Sequence, residues 1–152
     1  MNSYTQETYT DKWLYFRVGT AAANEDDEAT GSNMYPAANL LGMCSGTSAA
    51  DGTVTDDDNA LSLFLKPIRK TQTAEVQNAD ANPDVIVLAC GQYKQRVVMN
   101  NIIAAINSPN NGPYSDGIIV IADMGAGDEA GTENLLQGVT GVTIVSALVA
   151  AD

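Results

Sequence analysis

Five short apolar segments predict the strands of this chain. Residues 13–18 and 61–65 alternate their apolar positions with the two-residue period of a half-buried strand. Residues 84–90 and 117–122 are nearly continuous apolar runs rich in β-branched side chains, which is typical of strands covered on both faces at the centre of a sheet. Residues 142–149 predict a last strand. The pattern therefore predicts a sheet of about five strands.

One segment carries the period of a helix. Over residues 93–107, Val98, Ile102 and Ile106 recur at four-residue spacing and form one apolar stripe, and the Asn-Ser-Pro sequence that follows ends the helix. The strand, helix and strand of residues 84–122 fit either a parallel crossover or an antiparallel arrangement. We therefore predict an α+β fold in which one amphipathic helix packs on a mixed or antiparallel sheet.

The rest of the chain is rich in small and acidic residues. A length of 152 residues fits a single domain over 1–152. Residues 19–60 show little periodicity, so we expect long acidic, Gly- and Ala-rich loops or an arm there. Loops with so little core of their own are held either by a neighbouring molecule in an assembly or by packing on their own domain, and both readings stay open.

Charge and the absence of histidine exclude several classes of function. The 19 Asp and Glu residues outnumber the 7 Lys and Arg residues, and the formal net charge is −12. This negative field repels phosphate backbones and anionic lipids, so we expect neither nucleic acid nor membrane as a partner. With no histidine, the chain lacks the commonest general base and the commonest metal ligand. The amino terminus has no apolar signal segment, which predicts synthesis without a Sec signal.

Three patterns resemble sites of chemistry, and none of them is complete. Residues 42–46 match a G-x-[SC]-x-G nucleophile elbow around Cys44, but the histidine base of such sites is missing. Residues 119–136 resemble the glycine-rich motif of methyltransferases and of dinucleotide-binding folds, but Glu129 stands where the next glycine belongs. Acidic clusters at 25–28, at 56–58 and around Asp123 lack the order of an EF-hand loop. We therefore predict no enzyme, no cofactor and no bound metal, and Cys44 and Cys90 as reduced structural residues.

Three segments together resemble a known class of proteins: residues 93–123, the ending GVTGVTIVSALVA and the opening W-x-Y-F-R strand. They are similar to small structural proteins of marine tailed bacteriophages, in which a K-x-x-V-M-x-x-I-x-x-x-I-N helix precedes D-G-x-x-V-I-A-D and a closing V-T-x-V strand. About a third of the chain is covered. The resemblance implies a decoration or cement protein on the outer surface of a capsid, in contact with the major capsid protein and copies of itself as a homo-oligomer, with no catalytic residue to carry over.

Aromatic and basic residues are the candidates for the interface of such a protein. Aromatic side chains dominate interface cores. The basic residues pair with acidic groups, either on a neighbouring copy or within the chain. The predicted interface residues are Trp13, Tyr15, Arg17, Tyr35, Lys66, Arg69 and Lys70. The alternative hypothesis is an extracellular or virion-tip module that binds carbohydrate or Ca²⁺.

Overall fold

The computed structural model describes residues 12–18, 32–49, 52–67, 83–109, 111–124 and 134–145. Within these ranges the chain forms ten strand segments, one 3-10 turn at Ala37–Asn39 and one α-helix. In chain order the elements are β1 (Trp13–Arg17), β2 (Ser32–Pro36), β3 (Leu40–Ser45), β4 (Thr47–Ser48), β5 (Val54–Thr55), β6 (Ala60–Leu65), β7 (Asp84–Cys90), α1 (Gln95–Ile106), β8 (Ile118–Asp123), β9 (Asn134–Leu135) and β10 (Val139–Val145).

The strands form two four-stranded sheets and a small ribbon. Sheet A has the order β2-β1-β8-β9, in which β1 and β8 run parallel and the other neighbours run antiparallel. Sheet B has the order β10-β7-β6-β3 and is antiparallel throughout. The strands β4 and β5 pair with each other as a separate antiparallel ribbon.

Both sheets and the helix contribute to one hydrophobic core. In β1, Leu14 and Phe16 are completely buried, because the two-residue period of a strand places them on the same face. The helix adds Val98, Ile102 and Ala105 to this core through its four-residue spacing. The strands β6, β7, β8 and β10 add further buried side chains, among them Leu63, Ile86, Leu88, Ile119, Ile121 and Ile144.

A residue just before β1 caps the carboxyl end of α1. The buried Lys12 ammonium group donates hydrogen bonds to the carbonyl oxygens of Ala105 and Ile106, at 3.0 Å each. It also donates to the hydroxyl of Ser108 at 2.6 Å and to the Ser108 carbonyl oxygen. A cation at this position both pairs carbonyl groups that have no partner within the helix and lies at the negative end of the helix dipole.

Within the described ranges, the structure confirms the predicted α+β arrangement: most of the regular structure is β-sheet, and one helix accompanies it. The expected count of about five strands is wrong, because short strands that carry no strong apolar period pair with the predicted ones. The helix lies within the predicted range. The strands β7 and β8, on either side of it, belong to different sheets, so residues 84–122 form no crossover within one sheet.

Irregular chain was expected over residues 19–60, but a large share of the described part of this range forms strands, while residues 56–59 are a loop. Residues 32–49 and 52–60 contain β2, β3, β4 and β5 and the start of β6, while residues 19–31 lie outside the described part. The reason is cross-strand pairing, since β2 pairs with β1 and β3 pairs with β6. Neighbouring strands that are distant in sequence stabilise these segments, although the segments carry no apolar period of their own.

Candidate functional site

Sheet A presents a second apolar surface on the side away from the core. Because side chains alternate along β1, Trp13 and Tyr15 point opposite to the buried Leu14 and Phe16. The register places Ile118 beside Trp13, and Val120 beside Tyr15, on the parallel neighbour β8. On the other side, Pro36 and Met34 of β2 lie opposite the same two aromatic residues. We call these six residues, together with Arg17, the outer face of sheet A.

Apolar side chains of the outer face are open to solvent. Trp13 is 40% exposed and Ile118 is 37% exposed, while Val120, Met34 and Pro36 are partly buried. Two exposed apolar side chains on neighbouring strands, with partly buried apolar side chains around them, form a patch, and such patches mark interaction sites on soluble proteins. This face was not predicted, since the apolar run of residues 117–122 indicates a strand covered on both sides.

One end of the outer face carries a pair of opposite charges. Nη1 of Arg17 lies 3.8 Å from Oδ1 of Asp123, the residue beside it on β8, and both side chains are partly exposed. A pair of this kind contributes little to stability because solvent screens it. Its consequence for the surface is that the two charges offset each other next to the apolar side chains.

A groove of about 510 Å³ adjoins the outer face. Ile118 and Val120 belong to both surfaces, and the groove continues to Asn101 of α1, Tyr114 of the turn before β8, and Leu136 after β9. The Asn101 side-chain amide donates a hydrogen bond of 2.8 Å to the carbonyl oxygen of Gln137, which fixes α1 to the chain beyond β9. The groove, whose lining mixes polar and apolar side chains, therefore joins the outer face of sheet A to the helix.

Tyr35 is the predicted interface residue that the structure contradicts. Its side chain is 1% exposed, and its hydroxyl donates a hydrogen bond of 2.9 Å to Oδ2 of the buried Asp84. The Tyr35 ring also meets Phe16 edge to face, with 6.3 Å between the ring centroids. Tyr35 is thus a core residue that links sheet A to sheet B, and it is not available as an interface anchor.

The other predicted residues divide between two places. Trp13, Tyr15 and Arg17 lie together on the outer face of sheet A. Lys66 is exposed just after β6, where its backbone N–H donates to the carbonyl oxygen of Asn39, and it is not part of that face. Arg69 and Lys70 lie outside the described residues.

Cys44, the residue at the centre of the apparent nucleophile elbow, lies within strand β3. Residues 42–45 continue the β3–β6 ladder, and no helix follows them, so the strand-turn-helix geometry of a nucleophile elbow is absent. Cys44 is exposed and Cys90 is buried, and both are free thiols. Burial, and secondarily the negative charge of Asp57, raises the pKa of the Cys90 thiol above its ordinary value, which favours the protonated form.

Asp57 in the acidic cluster 56–58 organises the loop before β6. Its carboxylate accepts hydrogen bonds from the Thr47 hydroxyl at 3.1 Å and from the backbone N–H of Asn59 at 2.8 Å. Its carbonyl oxygen accepts a bond of 3.2 Å from the side chain of Gln95 at the start of α1. Within the described part of the chain, no three acidic or cysteine side chains are grouped so as to hold a metal ion.

Comparison with known proteins found no matching family, no similar curated protein and no similar solved structure. Across the described ranges, no helix is long and apolar enough to cross a membrane.

Proposed function

We propose that this chain is a non-enzymatic structural protein of a virion, which decorates and reinforces the outer surface of a tailed-phage capsid. In this proposal it contacts the major capsid protein and neighbouring copies of itself. The single observation that carries the proposal is the outer face of sheet A, where Trp13 and Ile118 expose apolar surface beside Val120, Met34 and Pro36.

The composition of that face supports contact with protein. Interface cores are depleted of charge and enriched in Trp, Tyr and Met. Trp13, Tyr15 and Met34 provide these residue types, and the Arg17–Asp123 pair lies at the margin, where polar residues surround an interface core. A folded strand pair also presents the side chains in fixed positions, which limits the entropy lost on docking.

The net charge of −12 supports a location on the outer surface. Packaged DNA repels an acidic protein on the inner wall of a capsid, and no such repulsion acts outside the shell. Repeated contacts on a symmetric shell also add through effective concentration, so the interface of a single copy can remain small.

The experiment measures binding to capsids assembled without this protein, by cosedimentation of wild-type chain and of Trp13→Ala. A buried aromatic anchor is worth about 2 kcal/mol or more, so Trp13→Ala is expected to weaken binding by about 30-fold or more. Ile118→Lys, which places a charge in the same face, is expected to weaken binding similarly. Circular dichroism and urea midpoints establish that each variant is folded.

Tyr93 provides the matched control. It is 70% exposed at the turn before α1, away from the outer face, and Tyr93→Asn removes an aromatic ring at a positive φ that Asn tolerates. The control is expected to bind as the wild type does. Wild-type chain that stays in the supernatant, or folded Trp13 and Ile118 variants that bind as tightly as wild type, would overturn the proposal.

A second candidate function, carbohydrate binding, is favoured by the groove beside α1. Tyr114 offers a ring, and Asn101 and Asp116 offer polar groups, in a groove of about 510 Å³. Calorimetry against a panel of glycans tests this candidate. Binding that Tyr114→Ala abolishes would support it, and the absence of heat with every glycan would remove it.

A further inference from the structure

Strand β3 is an edge of sheet B that carries no charge. It pairs with β6 on one side, and among the described residues no strand pairs with its other side. The six residues of β3 include no Asp, Glu, Lys, Arg or Pro, and no charged residue occurs anywhere in the stretch 29–50. Exposed edges are normally protected by Lys, Pro, bulges, short strands or a covering element, because their free backbone groups attract other strands.

The backbone of β3 offers regular hydrogen-bonding groups on its open side. The N–H of Gly46 donates to the carbonyl oxygen of Ala60 at 2.9 Å, which fixes the phase of the β3–β6 ladder. In an antiparallel ladder the bonded positions alternate, so Cys44 bonds toward Ser62 while the N–H and C=O groups of Met43 and Ser45 point away from β6. The register shift between Leu40 and Gly42 disturbs only the opposite end of the strand.

The other edges of the two sheets differ from β3. In sheet A, β2 ends in Pro36, and β9 has two residues. In sheet B, β10 lies near β8 and β9 of sheet A. On β3, by contrast, Leu41 is 64% exposed, the highest value for a large aliphatic side chain in the described ranges. Apolar surface and open backbone groups therefore coincide on this one edge.

We propose that β3 pairs with β3 of a second copy, antiparallel about a two-fold axis, and joins the two B sheets into one continuous sheet. The inference rests on the assembly role proposed above and deepens it, because it names the surface through which copies meet. A second copy is the fitting occupant because two-fold symmetry makes an antiparallel strand its own partner. Each copy carries a net charge of −12, so contact between copies is least opposed at a surface without charge.

One register uses both regular open positions of each copy, Met43 and Ser45. Met43 of one copy exchanges hydrogen bonds with Ser45 of the other only when the two-fold axis passes beside Cys44. The two Cys44 residues then form a non-bonded pair with Cα atoms about 4.5 Å apart. That separation lies within the range of about 4.4–6.8 Å that a disulfide spans. Cys44 is exposed, so it can report on the pairing.

The test combines sedimentation velocity over a range of concentrations with oxidation by diamide, which forms the disulfide and is itself reduced. The wild-type chain is expected to dimerise reversibly and to yield a disulfide-linked dimer through Cys44, and Cys44→Ser is expected to dimerise without the cross-link. Ser45→Lys places a charge on the open edge without removing a β6 bond, and it is expected to weaken the dimer at least tenfold. Val97→Lys makes a similar change in net charge on the exposed side of α1 and is expected to dimerise as wild type does.

A wild-type chain that stays monomeric, or a dimer that Ser45→Lys leaves intact, would overturn the inference. Amide exchange at Met43 and Ser45 identifies a different occupant: protection that appears only on capsids would mean that a capsid strand pairs with β3, and self-pairing would be wrong. The result for self-pairing can be distinguished from the result for capsid binding. Failure of self-pairing leaves capsid binding through Trp13 intact, whereas failure of capsid binding leaves the cross-linked dimer of the isolated chain.

Discussion

At the scale of single residues, Tyr35 takes its role from partners that are distant in sequence. An aromatic residue in the short segment Ser32–Pro36 predicts an interface anchor, because nothing local distinguishes an exposed ring from a buried one. The decisive partner is the carboxylate of Asp84, on a strand of the other sheet. Side chains alternate along β2, so Tyr35 and Asn33 lie on the same side of the strand. Because Asn33 is polar, the sequence pattern does not indicate that this side is buried.

Removal of the Tyr35 hydroxyl tests this role. Tyr35→Phe keeps the ring in the core but leaves the Asp84 carboxyl group, which is 3% exposed, without this donor. A buried polar group that loses its partner costs about 1–3 kcal/mol, so the free energy of unfolding in urea should fall by about that amount. Tyr93→Phe, at an exposed site, should change it by less than about 0.5 kcal/mol. Equal stability of the two variants would contradict a stabilising role for the Tyr35–Asp84 hydrogen bond.

At the scale of elements, the most consequential contact joins the end of α1 to the beginning of β1 through Lys12. The helix has no side-chain cap at its amino end and no basic residue in its last turn. Lys12 provides the missing cation and donates to the carbonyl oxygens of Ala105 and Ile106, of which that of Ala105 also accepts from the backbone N–H and the hydroxyl of Ser108. Since β1 pairs with both β2 and β8, this contact positions the helix relative to sheet A and its outer face.

Lys12→Met measures how much this contact contributes to the free energy of unfolding. The substitution keeps an unbranched chain of similar length but leaves the carbonyl oxygens of the helix end without the ammonium group. Hydrogen bonds to charged groups contribute about 1.5–3 kcal/mol, so we expect the free energy of unfolding to fall by about 2 kcal/mol or more. Lys94→Met, at the exposed amino end of α1, is the matched control and should be nearly neutral. A Lys12 variant as stable as that control would contradict this role.

The elements that were predictable are those whose pattern is local. The strand β7 and the helix α1 follow from a continuous apolar run and a four-residue stripe, and both lie where the pattern places them. The strands β2 and β3 carry Gly, Pro and small polar residues, so only their neighbours stabilise them. For β8, the apolar run cannot distinguish a strand buried on both sides from one that presents Ile118 and Val120 to solvent. The outer face of sheet A was therefore not predicted. The alternation along residues 13–18 does place Trp13, Tyr15 and Arg17 on one side of a strand, as in β1, and their role in an interface stays a prediction.

At the scale of the whole molecule, two surfaces differ from the acidic remainder of the chain. The chain carries a net charge of −12, which opposes the approach of identical copies, yet the outer face of sheet A and the edge strand β3 offer apolar or uncharged contact. On a shell, one surface would face the capsid and the other a neighbouring copy.

The most direct test of the central claim uses the one tryptophan of the chain as a probe of the outer face. Expression with 7-azatryptophan places at position 13 a fluorophore whose excitation is red-shifted from that of tryptophan in the capsid protein. On addition of capsids, we expect emission at shorter wavelength and weaker quenching by acrylamide, because docking removes water from Trp13. If the chain cosediments with capsids while emission and quenching stay unchanged, it is bound through another surface, and docking through the outer face of sheet A is wrong.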